Sequence, residues 1–396
     1  MELISPSESN MWDKSYKAIL LRPSDEDINK KYEKGEQRIV TESNREKLPN
    51  FVDALRRPNY MELRPFYQRR NRWDTERQSK LIESFIMNVP VPPLFLYEKN
   101  FNSYEVMDGQ QRISAIKSFY DNEFKLKGLQ QWSELNGRTY KTLPSKIRAG
   151  IDRRSIAYIV LLKESAPDAE EALLLRQIVF ERLNTGGIKL ERQEIRNSMN
   201  SGAMNDLLHL LSRNKIFRRS WSLPEYSDEE NINPAHEIKK HKIYEKMEDL
   251  EIILRFFALR HVERYTKGMQ GFLDLYMIKS ATFTNKDVEI LENLFIKTLT
   301  IAHEIYQGQL FKPYNINKNI WSLRPHKSFY DSVMVGISKY INYSEKLLRK
   351  KTLIVESTKK LFLANPEGTF TGRGNTKADI ERRISLYQDM LKFIIS

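Results

Sequence analysis

Asp108-Gly109-Gln110-Gln111-Arg112 combines a carboxylate, a glycine, two amides and a guanidinium in five consecutive residues. A strand pattern precedes it and a helix pattern follows. At such a junction, backbone N–H groups and the helix dipole attract anions. Gly109 has no Cβ, so the backbone can approach a phosphate closely. Arg112 falls about one turn inside the helix, where its fork can grip phosphate with two hydrogen bonds. Asp108 can hold a divalent cation or orient a water. Gln110 and Gln111 can hydrogen-bond phosphate, base or water without adding charge. A plain Asp-Gly turn before a solvated helix is the simpler alternative. The five-residue set after a strand favours phosphate chemistry.

A second chemical stretch precedes it. Arg64, Phe66, Tyr67, Arg69, Arg70, Arg72 and Trp73 interleave guanidinium and aromatic groups. Arginine pairs with phosphates and aromatic rings stack on bases. The alternative places Phe66 and Trp73 in a core and the arginines on a solvated face. The six histidines are scattered. His236 and His241 form the one close pair, but a spacing of five puts them about 140° apart on a helix. A metal site is therefore not expected there.

The elements that must position these residues follow from periodicity and turn chemistry. Apolar residues at 81, 82, 85 and 86 predict a helix over 75–88, with Asp74 and Thr75 to cap its start. Pro90, Pro92 and Pro93 stop it. Residues 94–97 and 103–107 read as a hairpin, and Ile113, Ile116 and Phe119 return to helical spacing. Residues 61–66 predict a short strand and 156–162 a buried one. Residues 169–183 read as a helix stopped before Gly186-Gly187. Helical patterns recur over 190–212, 237–265, 287–307, 328–363 and 376–395. The last carries Ile380, Ile384, Tyr387, Leu391 and Ile394 as a packing stripe. The fold class expected is α+β, a mixed domain followed by a helical one. The boundaries read as a polar extension over 1–59, a mixed domain over 60–223 and a helical domain over 235–396, with 224–234 as linker.

Length and composition bound the function. The 396 residues allow two or three domains, each with its own core. Zero cysteine excludes disulfides, thiolate metal sites and cysteine nucleophiles. The start of the chain lacks an apolar signal region, and no apolar run approaches the ~18 residues of a spanning helix. A cytoplasmic protein without membrane contact is expected. The net charge of +13 points to a phosphate-bearing partner or to a diffusely charged surface.

Several ordered segments resemble the N-terminal domain family of GmrSD-type restriction endonucleases, whose fold is related to ParB and sulfiredoxin. They are Phe66-Tyr67-Gln68-Arg69 with Trp73, and Gln78 to Ser84 with Pro90, Pro92 and Pro93. Tyr104 to Arg112 and Phe180 to Gly187 follow, with a weaker echo over 369–384. The resemblance implies an NTP-binding and -hydrolysing component of an antiviral restriction system acting on DNA. It implies NTP and Mg²⁺ as cofactors, and Asp108, Gln110, Gln111 and Arg112 as the catalytic set, with Asp108 also on the metal. Gly109, Arg112, Gln68, Arg69, Trp73, Arg182 and Asn184 would contact nucleotide. At the end of a helix, Arg182 and Asn184 suit base or ribose rather than phosphate; a surface arginine beside an Asn-Gly cap is their simpler reading. Arg64, Arg70 and Arg72, outside the family pattern, are the candidates for DNA contact. Sulfiredoxin chemistry needs a cysteine that this chain lacks. Fused relatives carry an HNH nuclease with metal-binding histidines, which this sequence does not show, so either a stand-alone form or a separate subunit with an HNH-bearing partner is expected. The rival readings are a non-hydrolytic nucleotide-gated DNA clamp, a DNA nickase using the same motif, and a non-catalytic scaffold.

Overall fold

The computed structural model describes residues 4–12, 25–26, 29–30, 39–63, 73–165, 169–183, 192–199, 202–231, 238, 241–372 and 374–396. The chain divides into two compact units: Ala18–Leu190, and Glu191–Ser396 together with Met1–Lys17. The fold is α+β, as expected. The division at 190/191 differs from the expected 60–223 and 235–396. Residues 203–211 bury Leu207, Leu208 and Leu211 in the core of the helical unit, which places them after the boundary.

The first unit is a five-stranded mixed sheet with helices. The strands are β1 Thr41–Lys47, β2 Met61–Glu62, β3 Leu94–Asn100, β4 Ser103–Asp108 and β5 Ser155–Leu161. Their order is β1-β5-β3-β4-β2. β1 pairs antiparallel with β5, from Thr41 opposite Leu161 to Lys47 opposite Ser155. β5 runs parallel to β3, β3 antiparallel to β4, and β4 parallel to β2. The helices are α1 Leu48–Leu55, α2 Thr75–Met87, α3 Gln110–Tyr120, α4 Ser145–Asp152 and α5 Ala169–Leu183. Alternation along β3 and β4 aims Leu94, Leu96 and Val106 at one core. Phe51, Ile82, Phe85, Ile113, Ile116 and Phe119 from α1, α2 and α3 complete it. Each such side chain contributes about 1.5–3 kcal/mol when fully buried.

Local chemistry sets the ends of α2. The Asp74 carboxylate accepts the Arg77 N–H at 2.8 Å, and Asn88 closes the helix in the left-handed region at φ +60°. Within α2, buried Glu83 accepts the N–H groups of Gln131 and Trp132 at 2.8 and 3.0 Å, which anchors the loop after α3. The expected strand over 61–66 is seen at Met61–Glu62; its remainder from Arg64 lies outside the described residues. The expected polar extension is not all extension: residues 41–55 supply an edge strand and a core helix.

The second unit is helical: α6 Arg192–Met199, α7 Ala203–Leu211, α8 Lys215–Ser220, α9 Glu248–Leu259, α10 Gly268–Lys279, α11 Asn285–Tyr306, α12 Lys327–Lys339, α13 Lys351–Ala364 and α14 Lys377–Ile395. The stripe of Ile380, Ile384, Tyr387, Leu391 and Ile394 on α14 is buried, as its spacing predicts. The Tyr387 hydroxyl meets that of Tyr306 at 2.8 Å. The expected 190–212 and 328–363 stretches are each broken into shorter helices, and α10 was not expected. The N-terminal turn Pro6–Asn10 packs into this unit through Glu8, which is fully buried against Arg260, His261 and Tyr276. No helix among the described residues is long and apolar enough to cross a membrane.

Candidate functional site

β4 ends at Asp108 and α3 begins at Gln110, so Gly109 alone makes the turn. Its φ is +100°, in the left-handed region. A Cβ on Gly109 would collide with the Leu94 side chain and crowd the Arg112 guanidinium at 3.3 Å. Glycine is therefore required twice, for its dihedral and for the close packing on β3. The first bond inside α3 runs from the Ile113 N–H to the Gly109 C=O at 2.9 Å. Gly109 brings no capping side chain, so the amide end of an 11-residue helix opens beside Asp108.

Arg112 does not extend away from the turn. Its Nη2 donates to the Asp108 carboxylate at 2.6 Å, and Nη1 donates to the carbonyls of Pro92 and, at 3.2 Å, Pro93. The Arg112 side chain is 12% exposed and that of Asp108 49%. Burial lowers the Arg112 pKa, and Asp108 partly offsets this. The residue expected on phosphate thus joins β4, α3 and the proline loop after α2. Pro92 and Pro93, read in the sequence as helix stops and as part of the family-like segment, also supply two acceptors.

The glutamines divide. Gln110 is buried in the first turn of α3. Gln111 accepts the Trp73 backbone N–H at 3.3 Å, and Gln78 donates to the Trp73 C=O at 3.4 Å. Trp73 is thereby brought to the 108–112 turn through its backbone, while its ring packs on the sheet core. Arg182 is exposed in the last turn of α5. Arg64, Gln68, Arg69, Arg70, Arg72, Asn184 and His236 lie outside the described residues. Among the described residues, no group of three or more His, Cys, Asp or Glu is placed to hold a metal ion.

Sequence reasoning missed a buried ion pair on the opposite face of β4. Glu105, 2% exposed, accepts from Arg176 Nη2 at 2.6 Å, and the Arg176 guanidinium lies 4.6 Å from the Tyr97 ring centre. A charged residue between apolar neighbours inside a strand was the available signal. The pair ties α5 to the strand that delivers Asp108.

Residues 50–200 match the family model described as GmrSD restriction endonuclease, N-terminal domain. No curated protein and no solved structure gives a significant match. The matched segment contains α2, the β3–β4 hairpin and the 108–112 turn. Residues 50–200 of this chain are thus similar to the N-terminal domain of GmrSD restriction endonucleases.

Proposed function

We propose that the chain is an NTP-binding and -hydrolysing component of a restriction system acting on DNA, with the nucleotide phosphates at residues 108–112. The supporting observation is the strand–glycine–helix turn. It sets the open end of α3, the Asp108 carboxylate and the Arg112 guanidinium within a few ångströms of one another. Backbone dipoles and an arginine fork together suit a phosphate. Asp108 belongs to no cluster of three or more ligating groups among the described residues, and Mg²⁺ is commonly held by one or two carboxylates plus the phosphates of its nucleotide. Asp108 therefore fits as a ligand to a nucleotide-borne Mg²⁺, which would supply charge neutralisation at the phosphates.

In the resting arrangement Asp108 and Arg112 neutralise each other. Binding would exchange partners: Arg112 Nη2 turns from the carboxylate to a phosphate oxygen, while Nη1 keeps its proline carbonyls and so its position. Gln111, with its carbonyl oxygen on the Trp73 backbone, orients from the second turn position. Arg182 and Asn184 are proposed for base or ribose, and Gln68, Arg69, Arg64, Arg70 and Arg72 for nucleotide and DNA contact.

The test is phosphate release from the four NTPs with Mg²⁺, with and without DNA. Wild type should turn over at least one NTP, and Asp108→Ala and Arg112→Ala should lose turnover. Equal rates in all three proteins refute the assignment. The Asp108–Arg112 pair also favours a second reading, a nucleotide-gated DNA binder that does not hydrolyse, because a ligand must open the pair. That reading predicts nucleotide-dependent DNA retention without phosphate release. Plasmid nicking by the protein alone, lost in Asp108→Ala, would instead identify a nickase.

A further inference from the structure

The helical unit contains a cavity of about 380 Å³ that the 108–112 site does not use. Its walls come from residues far apart in sequence: Trp221 after α8, Arg255 in α9, His326 to Ser328 at the start of α12, and the loop before α14 with Gly372 and Asn375. Trp221, Ile243 and Pro325 are its apolar wall.

The polar wall carries donors that the protein leaves unused. Arg255 is 6% exposed. Its Nε and Nη2 donate to Asp331, and no hydrogen bond from its Nη1 is seen among the described residues. Ser328 is 4% exposed; its carbonyl accepts from the Ser332 hydroxyl, but its own hydroxyl has no partner among the described residues. The Trp221 indole N–H is sealed in the interior, whereas Arg255 Nη1 and Ser328 Oγ are not, so both are open to the cavity their residues line. Gly372 keeps the hydroxyl uncovered: its φ is +85°, and a Cβ there would collide with Ser328 Oγ. The amide end of α12 adds further donors. His326 precedes the helix without a capping side chain, and no hydrogen bond is seen from the N–H groups of Lys327, Ser328 or Phe329 among the described residues. Such N–H groups, with the helix dipole behind them, attract anions. Arg255 brings its free donor to the same place from a different helix.

Charge separates the possible ligands. Asp331 is shared between Arg255 and Arg383, so two guanidinium groups meet one carboxylate. Glu248 on the cavity wall is answered by Lys327 at 2.9 Å. A neutral ligand would leave the charge at Arg255 unmatched, and an oxyanion would answer it. A carboxylate brings two oxygens, fewer than the donors formed by Nη1, Oγ and the helix N–H groups. The three terminal oxygens and higher charge of a phosphomonoester suit them better. The volume is at the lower end of small-molecule sites, roughly 300–1,000 Å³, and leaves room for the organic part of the ester beside the apolar wall.

We propose that this cavity binds the terminal phosphate of a phosphomonoester, carried by a small molecule or by the end of a polynucleotide. The phosphate accepts from Arg255 Nη1, Ser328 Oγ and the first N–H groups of α12, while Arg255 keeps its two bonds to Asp331. The site is independent of the phosphate site proposed in the sheet unit.

Calorimetry on the full chain tests this with AMP, glucose 6-phosphate and a single-stranded oligonucleotide bearing a 5′-phosphate. Adenosine, benzoate and the same strand with a 5′-hydroxyl complete the series. At least one phosphomonoester should bind saturably and more tightly than any of these three. Ser328→Ala removes a hydroxyl that has no protein partner, so it should fold, as thermal melting will verify. It should weaken binding at least threefold. Arg255→Lys keeps a cation for Asp331 but loses Nη1, and should weaken binding at least tenfold; should it fail to fold, Ser328→Ala decides. Binding should persist in Arg112→Ala, which keeps this test apart from that of the phosphate site in the sheet unit. Response to AMP or glucose 6-phosphate, sensitive to Ser328→Ala, supports the proposal and identifies a small-molecule source. The same response to the 5′-phosphorylated strand alone supports it and identifies a polynucleotide end. Silence from every phosphomonoester, equal binding of adenosine, benzoate or the 5′-hydroxyl strand, indifference to Ser328→Ala, or loss in Arg112→Ala would each overturn it.

Discussion

Two Asp–Arg pairings in this protein use the same groups in opposite settings. In the helical unit, Asp331 is fully buried and serves both Arg255 and Arg383, which is itself fully buried. In the sheet unit, Asp108 is half exposed and, among the described residues, serves Arg112 alone. Burial makes the first pairing obligatory, because a lone charge there has no water to turn to. Exposure of Asp108 makes the second exchangeable, because water or a cation can take over its carboxylate at low cost while Arg112 keeps its proline carbonyls. The comparison teaches that residue type nominates a group for chemistry, while exposure and partner number decide whether it is free to perform it.

The sharpest way to break this comparison is one substitution made twice. Asp331→Asn strands two buried guanidinium groups and should cost about 3–5 kcal/mol. Thermal melting should then fall by about 10 °C for a unit of this size. Asp108→Asn should abolish NTP turnover while changing stability by about 1 kcal/mol or less. Comparable destabilisation by both variants would erase the distinction.

Gly109→Ala should rank between them. The alanine must adopt a strained dihedral and displace Leu94, a combined cost of about 2–4 kcal/mol. Urea unfolding measures it, and nucleotide binding should weaken with it because the turn must shift.

A smaller effect sharpens the buried side of the comparison. Desolvation raises the Glu8 pKa, but Arg260 and His261 outweigh it, so the net shift is below the ordinary 4.5. A carboxylate with a depressed folded pKa contributes stability above its unfolded pKa and loses it as pH falls through the folded value. Between pH 5 and pH 3, wild type should lose melting temperature more steeply than Glu8→Gln. Parallel pH profiles would show that Glu8 does not hold the N-terminal segment.

The smallest expected effect concerns β1. Asn44 is exposed, so Asn44→Thr should raise stability by a few tenths of a kcal/mol through strand propensity alone. A null result in urea unfolding would show that pairing with β5 already saturates this edge.

Sequence legibility followed the range of the forces involved. Helix α2 was readable because Asp74 caps it and the prolines after Asn88 stop it, all within a few residues. The β3–β4 hairpin, the Gly109 turn and the α14 stripe were readable for the same reason. Strand β1 was not: Thr-Glu-Ser-Asn-Arg-Glu-Lys has no apolar alternation, and it is extended because β5 offers its backbone a partner. Charged side chains suit such an exposed edge. Helix α10 escaped because it is apolar nearly all round, with Met269, Phe272, Leu273, Tyr276 and Met277 buried.

The sequence by itself therefore determined the strand–glycine–helix turn, its family resemblance and the absence of cysteine chemistry. These depend on local sterics, capping and residue identity. Only the tertiary structure decided that Arg112 rests on Asp108 and the proline carbonyls. It also decided that Glu105 meets Arg176, and that Trp221, Arg255 and Asn375 border one cavity. Those contacts join residues between 4 and 154 positions apart in the chain. Their formation depends on packing free energy summed over whole units, which no short window of residues contains.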